Sequence, residues 1–345
     1  MSMTPPENAQ FYHHKKQFIL ENGGILLELT IAYNTYGTLA EDGSNVIWVC
    51  HALTANSHCV DWWHGLIGTD TLFNPEKYFI VCANIIGSCY GTTSPCSIKD
   101  SILIPSHTSF PLITIRDIVK AHILLRKHLA IRSIYCLIGG SLGGQQVLEW
   151  AIMESDIIRN IIPIATNAQH SPWGIAWNTA QRMALESDPD FHSAKCGKCK
   201  NGLKVARAIA MLSYRHYNTF EVTQKDFDNK IEHFNADSYQ RYQGDKLVQR
   251  FDAHCYYSLT KSMDSHNVGR NRISCESALG GITARACVIG IDSDLLFPIR
   301  EQEFIAKYIP SSRFHIISSV YGHDGFLIEY SQLTTIISQF LSENY

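Results

Sequence analysis

Ser141 sits in Gly139-Gly140-Ser141-Leu142-Gly143, directly after the apolar run Ile134 to Ile138 and before a helix-compatible stretch, Gln145 to Ile152. A buried strand entering a sharp turn and leaving as a helix forces unusual backbone angles, which glycine accepts cheaply. The spacing G-x-S-x-G is that of a nucleophile elbow, a turn that exposes a serine hydroxyl at the end of a sheet. A serine hydroxyl is a poor nucleophile at neutral pH, so it needs a base, and the base needs an orienting acid. The chain offers both, each just after a late apolar strand. His323 lies between glycines in Tyr321-Gly322-His323-Asp324-Gly325, ahead of the last helix. The strand ending at Ile291 runs into Asp292-Ser293-Asp294, which gives two candidate acids. Topology alone favours Asp294, which lies deeper in the loop, with Asp292 as the alternative. Nucleophile, acid and base therefore follow in the order Ser, Asp, His. The chain has sixteen histidines, and position selects His323 from among them.

Acyl transfer at such a serine also needs donors for a developing oxyanion. The backbone N–H of Leu142, next to the nucleophile, is one. The second belongs on the loop after an early strand. That loop is His51-Ala52-Leu53-Thr54-Ala55-Asn56-Ser57-His58, and the Leu53 N–H is the expected donor. His51 and His58 read as residues that shape this loop.

Alternating strands and helices must position these groups. Strands are expected at Gln17 to Leu20, Ile25 to Tyr33, Asn45 to Cys50, Tyr78 to Ala83, Ile134 to Ile138 and Ile158 to Ala165. Thr114 to Leu129 carries apolar residues at helical spacing. After Thr166 the character changes to helical patterns, at Ser171 to Leu185, Leu203 to Tyr214 and Asp245 to Met263. Strands return at Arg285 to Ile291 and Arg313 to Ser318, before a final helix from Phe326 to about Leu341. Such alternation implies an α/β fold with a mostly parallel central sheet flanked by helices. With the elbow and the residue order, the expectation is an α/β-hydrolase fold. Its core would comprise 1–166 and 280–345, and 167–279 would form a helical lid inserted at the catalytic end.

Composition narrows the function. The chain has 345 residues, 45% hydrophobic, with a formal net charge of −3 and no basic block. This gives no footing for nucleic acid or an anionic membrane surface. No apolar stretch reaches the length of a membrane span. The first residues lack the apolar core of a signal peptide, which points to the cytoplasm. The eleven cysteines are scattered and several lie in apolar runs, so buried free thiols are expected. Cys196 and Cys199 have C-x-x-C spacing, but without a second such pair no metal site is expected.

The chain resembles the homoserine O-acetyltransferase family. The matching pieces are His51 to Thr54 with Trp62-Trp63 and Leu66-Ile67-Gly68, then Gly87 with Tyr90 to Thr93. They continue with Phe110-Pro111, Thr114 to Asp117, Gly139 to Gly144, Gln181-Arg182, Arg250-Phe251-Asp252, Ser293-Asp294 and Gly322-His323-Asp324. The resemblance implies Ser141 as nucleophile, Asp294 as acid and His323 as base. It also implies that Arg182 and Asp324 bind the carboxylate and ammonium of L-homoserine. It further implies acetyl-CoA as co-substrate with no permanently bound cofactor, a product that feeds methionine synthesis, and a homodimer formed through the helical insertion. Leu142 stands where the family commonly has Met, a volume-conserving change beside an N–H that is unaltered. Relatives of this pattern use succinyl-CoA or act on serine. A serine esterase is the rival on the same fold, and a binding module that has lost its chemistry is the rival of another class.

Overall fold

In the computed structural model, residues 4–97, 110–192 and 196–343 are described. Strands β1 (Gln10–His14), β2 (Phe18–Ile19), β3 (Ile25–Leu26), β4 (Leu29–Tyr36) and β5 (Val46–Cys50) come first. Helix α1 (Cys59–Trp62), β6 (Phe79–Ala83), α2 (Ile115–His128), β7 (Ile134–Gly140), α3 (Leu142–Met153) and β8 (Ile158–Ile164) follow. Helices α4 (Pro172–Glu186), α5 (Lys200–Tyr214), α6 (Tyr217–Thr223), α7 (Asn235–Val248), α8 (Ala253–Asp264) and α9 (Cys275–Gly280) then run consecutively. The chain closes with β9 (Arg285–Ile291), α10 (Ile299–Tyr308), β10 (Ser312–Ile317) and α11 (Tyr330–Ser342).

Eight strands form one sheet in the order β1-β4-β6-β5-β7-β8-β9-β10. From β6 to β10 neighbours are parallel, whereas β4 runs antiparallel to both β1 and β6. This is an α/β-hydrolase fold with a mostly parallel sheet. The parallel strands are buried on both faces and so read as unbroken apolar runs, such as Val46-Ile47-Trp48-Val49-Cys50. One face packs on α2 and α3, where His122 stacks on Trp150 and Trp48 meets Trp150 edge-on. The other packs on α1 and α11 through residues such as Trp63, Leu333 and Ile337.

Chain direction across the sheet reverses at β5, because β6 lies on one side of it and β7 on the other. Ligands of open α/β sheets bind at such switch points, beyond the carboxyl ends of the strands. The loops leaving β5 and β7, which carry Leu53 and Ser141, therefore open side by side.

Several elements differ from the sequence reading. The segment Ile25 to Tyr33 is split, with β3 pairing β2 in a separate two-stranded sheet and β4 joining the main one. The helical pattern Asp245 to Met263 is two helices, interrupted where Asp252 caps α8 by accepting the N–H groups of His254 and Cys255 at 2.8 and 3.2 Å. An Asp side chain at that position stabilises a new helix start more than it supports continuation. The cysteines are not all free: Cys96 and Cys196, a hundred residues apart, form a disulfide, and the other nine are free thiols. Cys96, Cys196 and Asp252 bring potential metal-binding atoms within 4.8 Å of one another, but the two sulfurs are bonded to each other. Cys199, the other half of the C-x-x-C pair, is buried against the carbonyl of Leu185 at 3.6 Å. Among the described residues no helix is long and apolar enough to cross a membrane.

Candidate active site

The turn at Ser141 is strained and tightly walled. Ser141 has φ 58 and ψ −126, a conformation that L-residues with a side chain rarely adopt. It is held by its own N–H donating to Ile164 O at 2.9 Å and by the Thr166 hydroxyl donating to its carbonyl at 2.9 Å. The glycines allow strand and helix to meet. A Cβ at Gly143 would lie 2.1 Å from Cys50 O, and one at Gly139 would lie 2.6 Å from the backbone of Gly143. Both obstacles are main chain, which cannot rotate away. Gly143→Ala is therefore expected to lose at least the ~1–3 kcal/mol of ordinary overpacking. Denaturant midpoints of the two proteins, read at equal slope, check it.

The loop after β5 is fixed from inside. His51 donates from Nδ1 to Ala52 O at 2.8 Å and accepts the Ile85 N–H on Nε2 at 3.1 Å. Burial pushes its pKa down to about 4, against the backbone hydrogen bond, so the ring is neutral. Gln146, on the helix behind Ser141, donates to His51 O and Leu142 O, each at 3.1 Å. One side chain thus couples the two loops that present Leu53 and Leu142. Leu142 opens α3, whose first N–H groups have no acceptor within the helix.

His323 Nδ1 lies 2.7 Å from Asp294 Oδ2. The other carboxylate oxygen accepts the N–H groups of Leu296 and Phe297 at 2.8 and 2.9 Å, so the acid is locked. Both residues are buried. Burial works against a charged imidazole, but the charge and hydrogen bond of Asp294, with Asp324 adding, outweigh it and hold the His323 pKa above its ordinary value. Phe297 stacks on the ring at 5.1 Å, and Phe326 meets it edge-on at 5.5 Å. With Nδ1 on the acid, Nε2 is the nitrogen available for proton transfer. Asp292 is elsewhere: it is exposed and accepts from the Ser318 hydroxyl and the Ser319 N–H at 2.7 and 3.1 Å, tying the exit of β10. Of the two acids, the structure puts Asp294 against the imidazole.

Ser141, His323, Asp324 and Leu53 line one cavity of about 410 Å³. A larger one of about 570 Å³, around Arg300 and Glu276, does not contain the serine, and the chemistry selects the smaller. Arg182 does not line the Ser141 cavity. Its Nη2 pairs with Asp264 Oδ2 at 2.6 Å and donates to Thr179 Oγ1 at 3.0 Å. Its neighbour Gln181 accepts the Tyr256 hydroxyl at 2.5 Å. The Gln181-Arg182 pair therefore docks α4 on α8, although Arg182 Nη1 is buried without a hydrogen-bond partner. Arg182, expected to hold a substrate carboxylate, thus lies outside the lining of the cavity that contains Ser141.

Arg207 on α5 is one of three cations that line the cavity, with Lys246 and Arg250, and its guanidinium lies 5.4 Å from the centre of the Tyr214 ring. Asp324 also lines the cavity and pairs with Arg215 Nε at 3.2 Å. Arg207 shares a helix face with Leu203, Met211 and Tyr214, at spacings of four, four and seven residues. A charge on an otherwise buried stripe was the available signal, and sequence reading passed over it. Arg250 lines the cavity too, but donates to Thr54 O, to Thr54 Oγ1 at 3.2 Å and to the Tyr90 hydroxyl at 3.0 Å. It fastens the α7–α8 turn to the loop carrying Leu53.

Known proteins bear on this arrangement. The sequence profile of the alpha/beta hydrolase fold matches residues 45–330. The chain is 46% identical to a homoserine O-acetyltransferase of Cyclobacterium marinum over 342 residues, 99% of this chain and 97% of the other. It is 43% identical to one of Trichormus variabilis, covering 97% and 94%. The crystal structure of homoserine O-acetyltransferase from Staphylococcus aureus superposes with a TM-score of 0.83 at 27% identity, covering 98% and 96%. An acetylester hydrolase from Corynebacterium glutamicum superposes at 0.87 with 24% identity, covering 97% and 96%, a likeness of fold alone.

Proposed function

The chain belongs to the homoserine O-acetyltransferase family of α/β-hydrolase-fold proteins, and from that premise we propose that it moves an acetyl group from acetyl-CoA to the hydroxyl of L-homoserine. What carries the reading is one cavity that holds Ser141 and His323 together with a cation, Arg207, and a carboxylate, Asp324. Homoserine is a zwitterion with a side-chain hydroxyl. A guanidinium pairs with its carboxylate and a carboxylate with its ammonium, which leaves the hydroxyl to be aimed.

His323 takes the Ser141 proton as the hydroxyl attacks the thioester carbonyl. The N–H groups of Leu53 and Leu142 receive the oxyanion. The tetrahedral intermediate collapses, CoA leaves as the thiol with the proton from His323, and the acetyl group remains on Ser141. Homoserine, held by Arg207 and Asp324, then gives its hydroxyl proton to His323 and attacks the acyl-serine. Collapse returns the proton to Ser141 and releases O-acetyl-L-homoserine. Asp294 holds the tautomer and stabilises the imidazolium. No metal or resident cofactor takes part in this scheme. The helices between β8 and β9 act as a lid and substrate-binding segment, and we assign a homodimer contact to the same segment. The enzyme serves amino-acid biosynthesis in the cytoplasm.

Acetyl-CoA without acceptor should release one CoA per active site in a burst and leave an acetyl group on the peptide containing Ser141, detectable by mass spectrometry. L-Homoserine should then discharge it. Absence of the acyl-peptide overturns the two-step scheme. The clamp has its own test. Arg207→Ala should lower kcat/KM for homoserine by about a hundredfold, as expected on losing a charge-assisted pair worth roughly 2–3 kcal/mol. Arg182→Ala should lower the melting temperature, through loss of its pair with Asp264, and leave the homoserine KM near wild type. The reverse pattern would return the carboxylate to Arg182.

A further inference from the structure

Three cations line the Ser141 cavity, and they are not equally employed. Arg250 is spent on Thr54 and Tyr90, and Arg207, over Tyr214, is the cation assigned above to the amino-acid carboxylate. Lys246, in the last turn of α7, is exposed, and among the described residues no carboxylate lies within ion-pair distance of its ammonium. Its neighbour Asp245 is already paired with Lys204 at 2.5 Å. The nucleophile and the base are buried on the floor, so the exposed Lys246 stands at the mouth. A zwitterionic acceptor needs one cation and one carboxylate, which Arg207 and Asp324 supply. A further free cation at the mouth has no work to do for homoserine.

We propose that Lys246 receives a phosphate of the acyl donor, holding the nucleotide end of the CoA thioester at the mouth while the thioester reaches Ser141. The inference rests on the donor reading above. A lysine ammonium is a compact, mobile point charge that accepts phosphate without a fixed docking geometry. An anion bound there is open to solvent, so the contact is screened by salt. The competing role is structural: a cation in the last turn of a helix complements its dipole. That role carries no preference among donors.

The test is a donor series with L-homoserine as acceptor: acetyl-CoA, 3′-dephospho-acetyl-CoA and S-acetylpantetheine, which lacks every phosphate. The readout is the ratio of kcat/KM for acetyl-CoA to that for S-acetylpantetheine. Lys246→Ala should lower this ratio about tenfold, through KM for acetyl-CoA, as one charge-assisted contact would. Lys246→Arg should restore most of it, and added salt should lower the wild-type ratio toward that of the alanine variant. A loss that persists with 3′-dephospho-acetyl-CoA places the contact at the diphosphate; a loss confined to acetyl-CoA places it at the 3′-phosphate. An unchanged ratio, or equal losses on all three donors, overturns the inference alone. A wild-type enzyme that ignores acetyl-CoA overturns the donor reading and the inference with it.

Discussion

Ser141→Ala is expected to reduce turnover by about 10⁶, the scale on which removing the nucleophile of a serine triad acts. The protein should fold as before. The hydrogen bonds that fix residue 141 use its own N–H and carbonyl, which alanine keeps. The backbone stays at φ 58 with the same Cβ, so the strain is unchanged. Loss of activity without loss of melting temperature separates a chemical role from a structural one. Coincident loss of both would mean that the hydroxyl supports the turn. Binding of acetyl-CoA should survive, while the burst of CoA and the acyl-peptide should vanish.

Asp294→Asn should lower kcat by about 10⁴. The amide oxygen can still accept the N–H groups of Leu296 and Phe297, so the loop keeps its shape. The amide nitrogen then faces His323 Nδ1 and donates to it. That places the imidazole proton on Nε2, the nitrogen that must accept the proton of Ser141. The pH profile should move as well. His323 must be neutral to act as base, and its pKa is held up chiefly by Asp294 against burial. In wild type, activity falls as pH drops through this raised value. Without the carboxylate the pKa falls, so the acid limb of kcat/KM moves to lower pH. Asp292→Asn is the control: its carboxylate accepts from Ser318 and Ser319 and does not meet His323, so activity should change by no more than a few-fold. Equal effects of the two substitutions would contradict the assignment of the acid.

The parts of this site that the sequence reveals are those set by local backbone geometry. Gly139 and Gly143 are visible because strand and helix there approach to a distance that excludes a Cβ. The run Ile134 to Ile138 is visible because a strand buried on both faces has no polar alternation to blur it. The interrupted helical patterns are harder. Leu247, Val248, Phe251 and Cys255 continue one apolar periodicity across a break made by a single capping carboxylate. Arg182 and Arg207 both lie on amphipathic helices, and sequence spacing does not say which helix turns its cation toward the serine. That depends on how α4 packs on α8, which Asp264 and Tyr256 decide from the far side of the insertion. The Cys96–Cys196 link is illegible for the same reason, because its partners meet only after the insertion has docked on the core.

On the proposed function, the acetyl group on Ser141 passes to an amino-acid hydroxyl and not to water. The direct measurement counts three species in one steady-state reaction with acetyl-CoA and L-homoserine: CoA released, O-acetylhomoserine formed and acetate formed. Parallel reactions carry succinyl-CoA as donor, L-serine as acceptor, or no acceptor. The expected result is one O-acetylhomoserine per CoA, little acetate, slow release without acceptor, and weaker use of succinyl-CoA and serine. Steady release of CoA matched by acetate, indifferent to homoserine, would contradict it and make the protein a hydrolase on the same fold.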